Sequence, residues 1–308
     1  MGFDFIGDIH GQAGKLEALL RKLGYVEKAG GWVPPYLRKA IFVGDLIDRG
    51  PEQVKVVKTV RAMVENGRAL ALMGNHEFNA IGFVTQHPQD PTAFLRRHSP
   101  KNISLHAEFL RQVGCGSALQ LELVEWFKTL PLALDLGGAR AVHAWWHQPY
   151  VDLVTRQLPS GKPMDEDFLH AAYNRGSPEC LAMEGLTKGL EIRLPPGRSF
   201  VDHGGIERYD VRAKWWEGGA RSYRDVAIVG AHQLDRMPEC ELPPGYLGGG
   251  PINGTPVFIG HYWMEGTPHL QTSKVACLDW SAAKAGPLVA YRWDGEQELD
   301  GARFVAAG

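Results

Sequence analysis

The first 80 residues alternate between short apolar runs, which indicate strands, and segments whose apolar residues recur at helical spacing. Leu16, Leu19 and Leu20 form one helical stripe, and a second stripe begins after Pro51 and ends before Gly67. This order predicts parallel strands joined by right-handed crossovers, which is typical of the α/β class. The predicted strands are residues 3–6, 40–43 and 68–73, and the predicted helices are residues 12–23 and 51–66.

The pattern becomes less regular after this point. Residues 85–128 are helical and polar, which predicts an α insertion. Residues 147–224 mix Pro, Gly, Trp and charge with little periodicity, so we expect a cap or an elaborated loop region there. Further strands are predicted at residues 132–136, 140–142, 225–229, 256–259, 275–278 and 288–293, with the last two paired as a hairpin across residues 281–287. We expect one domain over residues 1–308.

Polar blocks follow the first three predicted strands. Their sequences are GDIHG at residues 7–11, GDLIDRG at residues 44–50 and GNHE at residues 74–77. Because sites in parallel sheets form beyond the carboxyl ends of the strands, we expect these blocks to lie together. Asp, His and Asn side chains suit Mn, Fe or Zn, and a pair of such ions can clamp a phosphate and activate a water. The blocks therefore predict a two-metal phosphoesterase site.

In order and spacing, the blocks resemble the GDxHG, GDxxDRG and GNHE signature of the phosphoprotein-phosphatase group of calcineurin-like metallophosphoesterases. The resemblance is strongest over residues 3–80 and returns at 140–145 and 256–293. It implies the fold of that family, with mixed β-sheets flanked by helices, and two divalent metal ions, manganese in preference to iron or zinc. The N-terminal blocks look particularly like bacterial symmetrical diadenosine tetraphosphate hydrolases and the phosphatase module of bacterial RNA-repair enzymes.

The resemblance also implies a set of metal ligands. One ion would be bound by Asp8, His10 and Asp45, and the other by Asp45, Asn75, His143 and one late histidine. Both His232 and His261 follow predicted strands. We expect His261, because the segments after it resemble the closing hairpin of the family's bacterial nucleotide-polyphosphatase branch.

Three further residues have roles implied by the resemblance. His76 would pair with Asp48 instead of binding metal, and an imidazole held by a carboxylate stays protonated near neutral pH, so it can act as the general acid for the leaving oxygen. The nucleophile would be a hydroxide that bridges the two metals. Arg49 would present its planar guanidinium to the phosphate oxygens.

Candidates for further substrate contacts lie after His143. Arg175 is the nearest match to a second arginine that the family often adds there, with a solvated loop arginine as the alternative. Arg212 and Lys214 belong to a basic, Trp-containing segment, residues 208–224, that could hold extra phosphates and stack a base. The alternative is that the Trp side chains are packed and the charges solvated.

Composition narrows the choice of partners and compartment. Lys and Arg total 33 against 35 Asp and Glu, so the formal net charge of −2 predicts no strong general affinity for nucleic acid. No apolar run approaches the roughly 18 residues that a membrane helix needs, and the first block starts too close to Met1 for a signal peptide. The four cysteines are scattered, which indicates no disulfide frame. We expect a cytoplasmic protein without a membrane partner.

These features predict a dinuclear metal-dependent phosphatase that hydrolyses phosphate esters or anhydrides. One substrate class is a phosphoprotein (Ser/Thr or Tyr) or a small phosphomonoester. The other is a dinucleoside polyphosphate or a nucleic-acid end, since the metal centre is common to both classes. A non-catalytic binder of a nucleotide or partner protein is a further alternative, but it would be expected to have lost a ligand or the acid, and none is missing.

Overall fold

The computed structural model describes residues 1–158, 162–201, 205–248 and 254–308. The strands are β1 (Gly2–Ile6), β2 (Val26–Lys28), β3 (Gly31–Val33), β4 (Arg38–Phe42), β5 (Ala69–Ala71), β6 (Gln86–His87), β7 (Asp90–Phe94), β8 (Ala133–Asp135), β9 (Arg140–Val142), β10 (Glu191–Arg193), β11 (Phe200–Val201), β12 (Glu207–Arg208), β13 (Asp210–Arg212), β14 (Val257–Ile259), β15 (Val275–Cys277), β16 (Leu288–Trp293) and β17 (Phe304–Ala307). The α-helices are α1 (Ala13–Lys22), α2 (Gln53–Glu65), α3 (Asn75–Val84), α4 (Pro100–Val113), α5 (Ala118–Phe127), α6 (Gln148–Gln157), α7 (Glu166–Tyr173), α8 (Pro178–Lys188), α9 (Tyr223–Val226) and α10 (Ala231–Leu234). Across these ranges, no helix has the length and apolar character needed to cross a membrane.

Two mixed β-sheets form the centre of the fold. The larger has the strand order β17-β16-β1-β4-β5, and the smaller has the order β15-β14-β9-β8. As expected from the alternation of strands and helices, β1, β4 and β5 run parallel. In the smaller sheet β9, β14 and β15 run parallel, and β8 pairs antiparallel with β9. The predicted α/β class with mixed sheets is confirmed.

The two sheets pack face to face around an apolar core. Phe5 of β1 and Phe258 of β14 stack with ring centroids 3.7 Å apart, and Val43, Ala141 and Tyr291 belong to the same buried cluster. Helices α1 and α2 pack against strands of the larger sheet. This buried apolar core holds both sheets in place. The loops that leave β1, β4, β5, β9 and β14 therefore start from rigid positions.

Residues 85–128 are not helical throughout. Strands β6 and β7 form an antiparallel hairpin before α4 and α5 begin. At the start of β7, the Asp90 carboxylate accepts hydrogen bonds from the backbone N–H and the hydroxyl of Thr92. Helical periodicity does not reveal this short hairpin, with which the segment starts.

Residues 147–224 are more regular than the sequence indicated, because they begin with the helices α6, α7 and α8. Asp165 and Ser177 cap α7 and α8 by accepting hydrogen bonds from Phe168 N–H and Cys180 N–H. The prolines Pro149 and Pro178 lie in the first turns of α6 and α8, where proline is compatible with a helix. Positions 159–161 and 202–204 of this predicted region lie outside the described residues.

Two strand predictions are wrong. Residues 225–229 do not form a strand, because a capping box between Ser222 and Asp225 starts α9 instead. Strands β15 and β16 do not form a hairpin: β15 pairs with β14, whereas β16 joins the other sheet between β1 and β17. Both strands are almost wholly buried. An apolar run of this kind does not indicate which sheet a strand joins.

Candidate metal centre

The polar blocks converge where their strands end, and their side chains are buried. Asp8 and His10 follow β1, Asp45 and Asp48 follow β4, Asn75 and His76 begin α3 after β5, His143 follows β9, and His261 follows β14. Most are almost fully removed from solvent, with Asp8 1% exposed and His143 0% exposed. The buried, convergent set contrasts with His232, which is exposed on α10.

Most of the non-glycine residues with positive φ in the described chain lie at this centre. The φ angles are 48° at His10, 51° at Asp45, 67° at Asp48, 76° at Arg49 and 71° at His261. This left-handed region is unfavourable for residues with a Cβ, so the surrounding contacts must hold it. Strain of this kind is concentrated at functional sites.

Two glycines allow the loops to approach each other. A Cβ at Gly74 would lie 2.2 Å from Asp45 Oδ1, and a Cβ at Gly260 would lie 2.0 Å from Asp8 Oδ1. Neither distance can be accommodated without moving a carboxylate that belongs to the centre. The glycines of these loops are therefore required for the close placement of the acidic side chains.

His10 presents one ring nitrogen to the centre. Its Nδ1–H donates to the Ile47 carbonyl at 2.8 Å, and its Nε2 lies 3.6 Å from Asp45 Oδ2. Burial and the neighbouring His76 lower the pKa of His10 to about 3, so Nε2 keeps a free lone pair. A neutral imidazole held through its other nitrogen is arranged as a metal ligand.

A second group of ligand atoms surrounds Asn75. Its Oδ1 lies 3.2 Å from His143 Nε2 and 2.8 Å from His261 Nδ1. His143 Nε2 also lies 3.4 Å from Asp45 Oδ2, and its Nδ1–H donates to the Val43 carbonyl at 2.7 Å. Burial lowers the pKa of His143, but the charge of Asp45 outweighs this and raises the pKa to about 10. Cation binding to Nε2 would therefore release a proton.

Asp45 is common to both groups. The carboxylate and ring nitrogens of His10, Asp45 and His76 form one cluster within 4.8 Å, and those of Asp45, His143 and His261 form another. In the first cluster His76 takes the place that we expected for Asp8. The Asp8 carboxylate faces the second cluster, where its Oδ2 accepts a hydrogen bond from His261 N–H.

The residues fit divalent cations on two further observations. Asp8 Oδ1 and His10 Nε2 are buried and have no hydrogen-bond partner among the described residues. Burial and the nearby carboxylate of Asp279 raise the pKa of Asp8. A bound cation would offset the repulsion between the buried carboxylates. It would also accept the lone pairs of buried oxygen and nitrogen atoms that have no hydrogen-bond donor.

Asp48 lies between two imidazoles. His76 Nδ1–H donates to Asp48 Oδ2, and His106 Nδ1–H donates to Asp48 Oδ1 at 2.7 Å. Burial raises the pKa of Asp48, but the hydrogen bonds from His106 and His76 outweigh it and hold that pKa below its ordinary value. Burial lowers the pKa of His76, but Asp45 and Asp48 together raise it above the usual histidine value. His106, from α4, was missed because nothing in its local sequence indicates this contact.

Glu77 closes the motif loops, a role that sequence reasoning did not assign. Its carboxylate accepts hydrogen bonds from four backbone N–H groups, those of Asp45, Leu46, Ile47 and Gly74. The side chain is fully buried at the start of α3. It therefore ties the second block to the third.

A cavity of about 320 Å³ adjoins Asp45, Asp48 and His76. Its basic lining residues are Arg49, Arg96, Lys101, Arg208 and Arg212. Of these, Arg49 and Arg212 were expected from the sequence. The Arg49 guanidinium lies over the Trp263 ring, 3.9 Å from its centroid, which orients its plane.

Other candidates from the cap lie elsewhere. Arg175 is exposed between α7 and α8, and Lys214 is half-buried after β13; neither is among the residues that line the cavity. Trp215 and Trp216 are buried, and Trp215 Nε1–H donates to the carbonyl of Ala144. The Trp pair is packed into the core, so it offers no open face to a base.

Comparisons with known proteins agree with this geometry. The model of the calcineurin-like phosphoesterase family matches residues 1–247. The asymmetrical bis(5'-nucleosyl)-tetraphosphatase PrpE of Bacillus subtilis (strain 168) is 42% identical over 190 residues, which cover 56% of this chain and 75% of that protein. The protein of the same name from Oceanobacillus iheyensis is 46% identical over 76 residues, or 25% of this chain and 30% of that protein. Against several curated relatives, the chain thus spans about a third of their length.

A solved structure shares the fold. A protein serine/threonine phosphatase from Saccharomyces cerevisiae, with similarity to human phosphatase PP5, is 14% identical, with a TM-score of 0.50 over 99% of this chain and 78% of that one. The names of the curated relatives specify asymmetrical, where we expected symmetrical hydrolases. The family model extends over most of the sequence and includes every polar block that enters the centre except the one at His261. The chain therefore belongs to the calcineurin-like phosphoesterase family, whose members are phosphoester hydrolases.

Proposed function

We propose that the protein is a dinuclear metal-dependent phosphatase that hydrolyses phosphate esters or anhydrides. The observation that carries this proposal is the position of Asp45, whose carboxylate is shared by two groups of buried ligand atoms. Divalent ions, when bound, would supply positive charge to a phosphate and an activated water. Manganese is the preferred metal, with iron and zinc as alternatives.

The proposed ligands divide into two overlapping sets. Asp8, His10 and Asp45 would hold one ion, and Asp45, Asn75, His143 and His261 would hold the other. The unpartnered Oδ1 of Asp8 and Nε2 of His10 support a place for both side chains in the centre. The backbone carbonyls of Ile47 and Val43 orient His10 and His143 through their other ring nitrogens.

His76 is the proposed general acid. Its Nδ1–H is held by Asp48, so its second proton is on Nε2, the nitrogen left free to meet a substrate in the cavity. The hydrogen bond from Nδ1–H to the Asp48 carboxylate favours the protonated imidazole, and so a proton on Nε2. His76 would donate it to the oxygen that leaves phosphorus, because a proton there stabilises the developing negative charge.

Arg49 is the proposed phosphate clamp. It adjoins Asp48 in the second block and lines the same cavity as His76. Its stacking on Trp263 fixes the guanidinium plane before substrate arrives, which lowers the cost of ordering the side chain. Arg49 would therefore contact the reacting phosphate of every substrate.

The proposed substrate is a dinucleoside polyphosphate. Five basic residues line the cavity, more than one phosphate requires. The volume of about 320 Å³ is at the low end for ligand sites, so it suits the phosphate chain while the nucleosides extend outward. The names of the curated relatives support the same class. Phosphoproteins and small phosphomonoesters are the alternative.

A hydrolysis panel tests this proposal. Purified protein with manganese is assayed on diadenosine tetraphosphate, phosphopeptides, p-nitrophenyl phosphate and 2′,3′-cyclic nucleotides, and kcat/KM values are compared. We expect the highest value for diadenosine tetraphosphate. Its products distinguish asymmetrical cleavage, which yields a monophosphate and a triphosphate, from symmetrical cleavage, which yields two diphosphates. Binding without hydrolysis of any substrate would identify a non-catalytic binder and overturn the proposal.

A further inference from the structure

Two cations of the 85–128 segment line the cavity next to the acid. Arg96 follows β7, and Lys101 lies in the first turn of α4. Helix α4 also carries His106, which donates to Asp48, so Lys101 is on the element that contacts the acid pair. Neither Arg96 nor Lys101 forms an ion pair with a carboxylate in the described part of the chain.

Arg96 is held in position without being neutralised. The side chain is half-buried, and its guanidinium donates to Asn79 Oδ1, an uncharged acceptor on α3. Its backbone N–H donates to the Gly82 carbonyl at 2.9 Å. A half-buried guanidinium that has only a neutral partner is a favourable site for an anion, because the guanidinium has further N–H donors available.

The position of these cations relates them to the leaving group. A general acid must lie within hydrogen-bond reach of the oxygen that departs. His76, Asp48 and His106 form one connected group, and Arg96 and Lys101 line the same cavity beside it. The other basic residues that line the cavity are Arg49, Arg208 and Arg212. Cations of the 85–128 segment therefore line the cavity together with cations of the second block and of β12 and β13.

We propose that Arg96 and Lys101 form a second phosphate subsite that binds the leaving group, so that the preferred substrate is an anhydride whose leaving group is itself phosphorylated. The inference rests on the proposed function. Water oxygen bonds to the attacked phosphorus, the bond from that phosphorus to the bridging oxygen breaks, and the bridging oxygen keeps the electron pair. His76 supplies the proton, and the water proton goes to solvent. Arg96 and Lys101 stabilise the remaining charge on the departing phosphate.

An uncharged leaving group would make no use of this subsite. The hydroxyl of a serine or of p-nitrophenol carries no phosphate to contact Arg96 or Lys101. Leu105, half-exposed on the same helix, also lines the cavity and can contact the part of the leaving group beyond its phosphates. The subsite thus favours nucleotide-like leaving groups over amino-acid side chains.

The test compares Arg96→Gln and Lys101→Met with Arg97→Gln and Arg111→Met. The control residues are exposed neighbours on the same segment that do not line the cavity. For each variant, kcat/KM is measured on diadenosine tetraphosphate and on p-nitrophenyl phosphate, with metal content and circular dichroism as checks. We expect Arg96→Gln to lower the ratio of the two kcat/KM values by about 10- to 100-fold, the range for a lost charge-assisted contact.

Lys101→Met should lower the same ratio by a smaller factor, and both controls should leave it at the wild-type value. Lys101 is exposed, so its variant remains informative if Arg96→Gln does not fold. Equal losses on both substrates, an unchanged ratio, or a control that behaves like its partner would overturn the inference. Failure of the proposed function would instead be seen in the wild-type protein, as no hydrolysis of either substrate.

Discussion

Replacing Glu77 by Gln should destabilise the centre although it changes only one atom. Glu77 Oε1 accepts from Leu46 N–H at 2.8 Å and Ile47 N–H at 3.3 Å, and Oε2 accepts from Asp45 N–H and Gly74 N–H, both at 2.9 Å. A glutamine has one acceptor oxygen and one NH₂ group. Either orientation of the amide therefore points NH₂ at two buried donors.

The magnitude follows from those two donors. An unsatisfied buried donor costs about 1–3 kcal/mol, so Glu77→Gln should lower the free energy of unfolding by about 2–6 kcal/mol. The favoured orientation keeps the bonds to Asp45 and Gly74, because the bond to Ile47 is the longest of the four. The loop that holds Asp45 should also loosen, so metal affinity should fall.

Urea denaturation followed by circular dichroism measures the first effect, and elemental analysis after dialysis measures the second. Glu122→Gln is the matched control, because Glu122 pairs with Arg61 at the surface of α5, where such a pair contributes about 0–1 kcal/mol. The role of Glu77 in joining the two blocks would be refuted if Glu77→Gln lowered the free energy of unfolding by less than about 1 kcal/mol. This outcome requires full metal content and an unchanged dependence of the unfolding free energy on urea concentration.

Four further outcomes are expected. Metal-replete protein should contain two ions per chain by elemental analysis, and a single ion at full occupancy would contradict the dinuclear assignment. His76→Asn should retain its metals and lower kcat by about 10²-fold or more, whereas an emptied site would show that His76 is a ligand. Asp4→Asn should lower the free energy of unfolding by about 3–5 kcal/mol in chemical denaturation, because two arginines and a tyrosine donate to this buried carboxylate. An unchanged free energy of unfolding would contradict the stabilising role of Asp4. Arg212→Ala should reduce kcat/KM on diadenosine tetraphosphate more than Lys214→Ala does, since of these two residues Arg212 lines the cavity. Equal effects would contradict binding of the substrate in this cavity.

Local order along the chain predicts those parts of the centre that directly follow strands. Each polar block directly follows a strand, and parallel strands bring their carboxyl ends to one edge of a sheet. The positions of Asp8, His10, Asp45 and Asn75 could therefore be related without knowing the rest of the fold. The structure places His261 beside Asp45 and His143 and places His232 on α10, and the hairpin on which the preference for His261 rested is not formed.

The surroundings of that centre depend on packing between elements that are distant in the chain. His106 is 58 residues from Asp48, and its contact exists because α4 packs beside α2. Lys101 reaches the cavity on α4, whereas Arg96 is held by its hydrogen bonds to Gly82 and Asn79 of α3. No local pattern distinguishes either of them from Arg97. Periodicity reports which face of an element is buried, but not which distant element covers it. The candidate ligands could therefore be proposed from the chain, whereas the cations that line the neighbouring cavity required the fold.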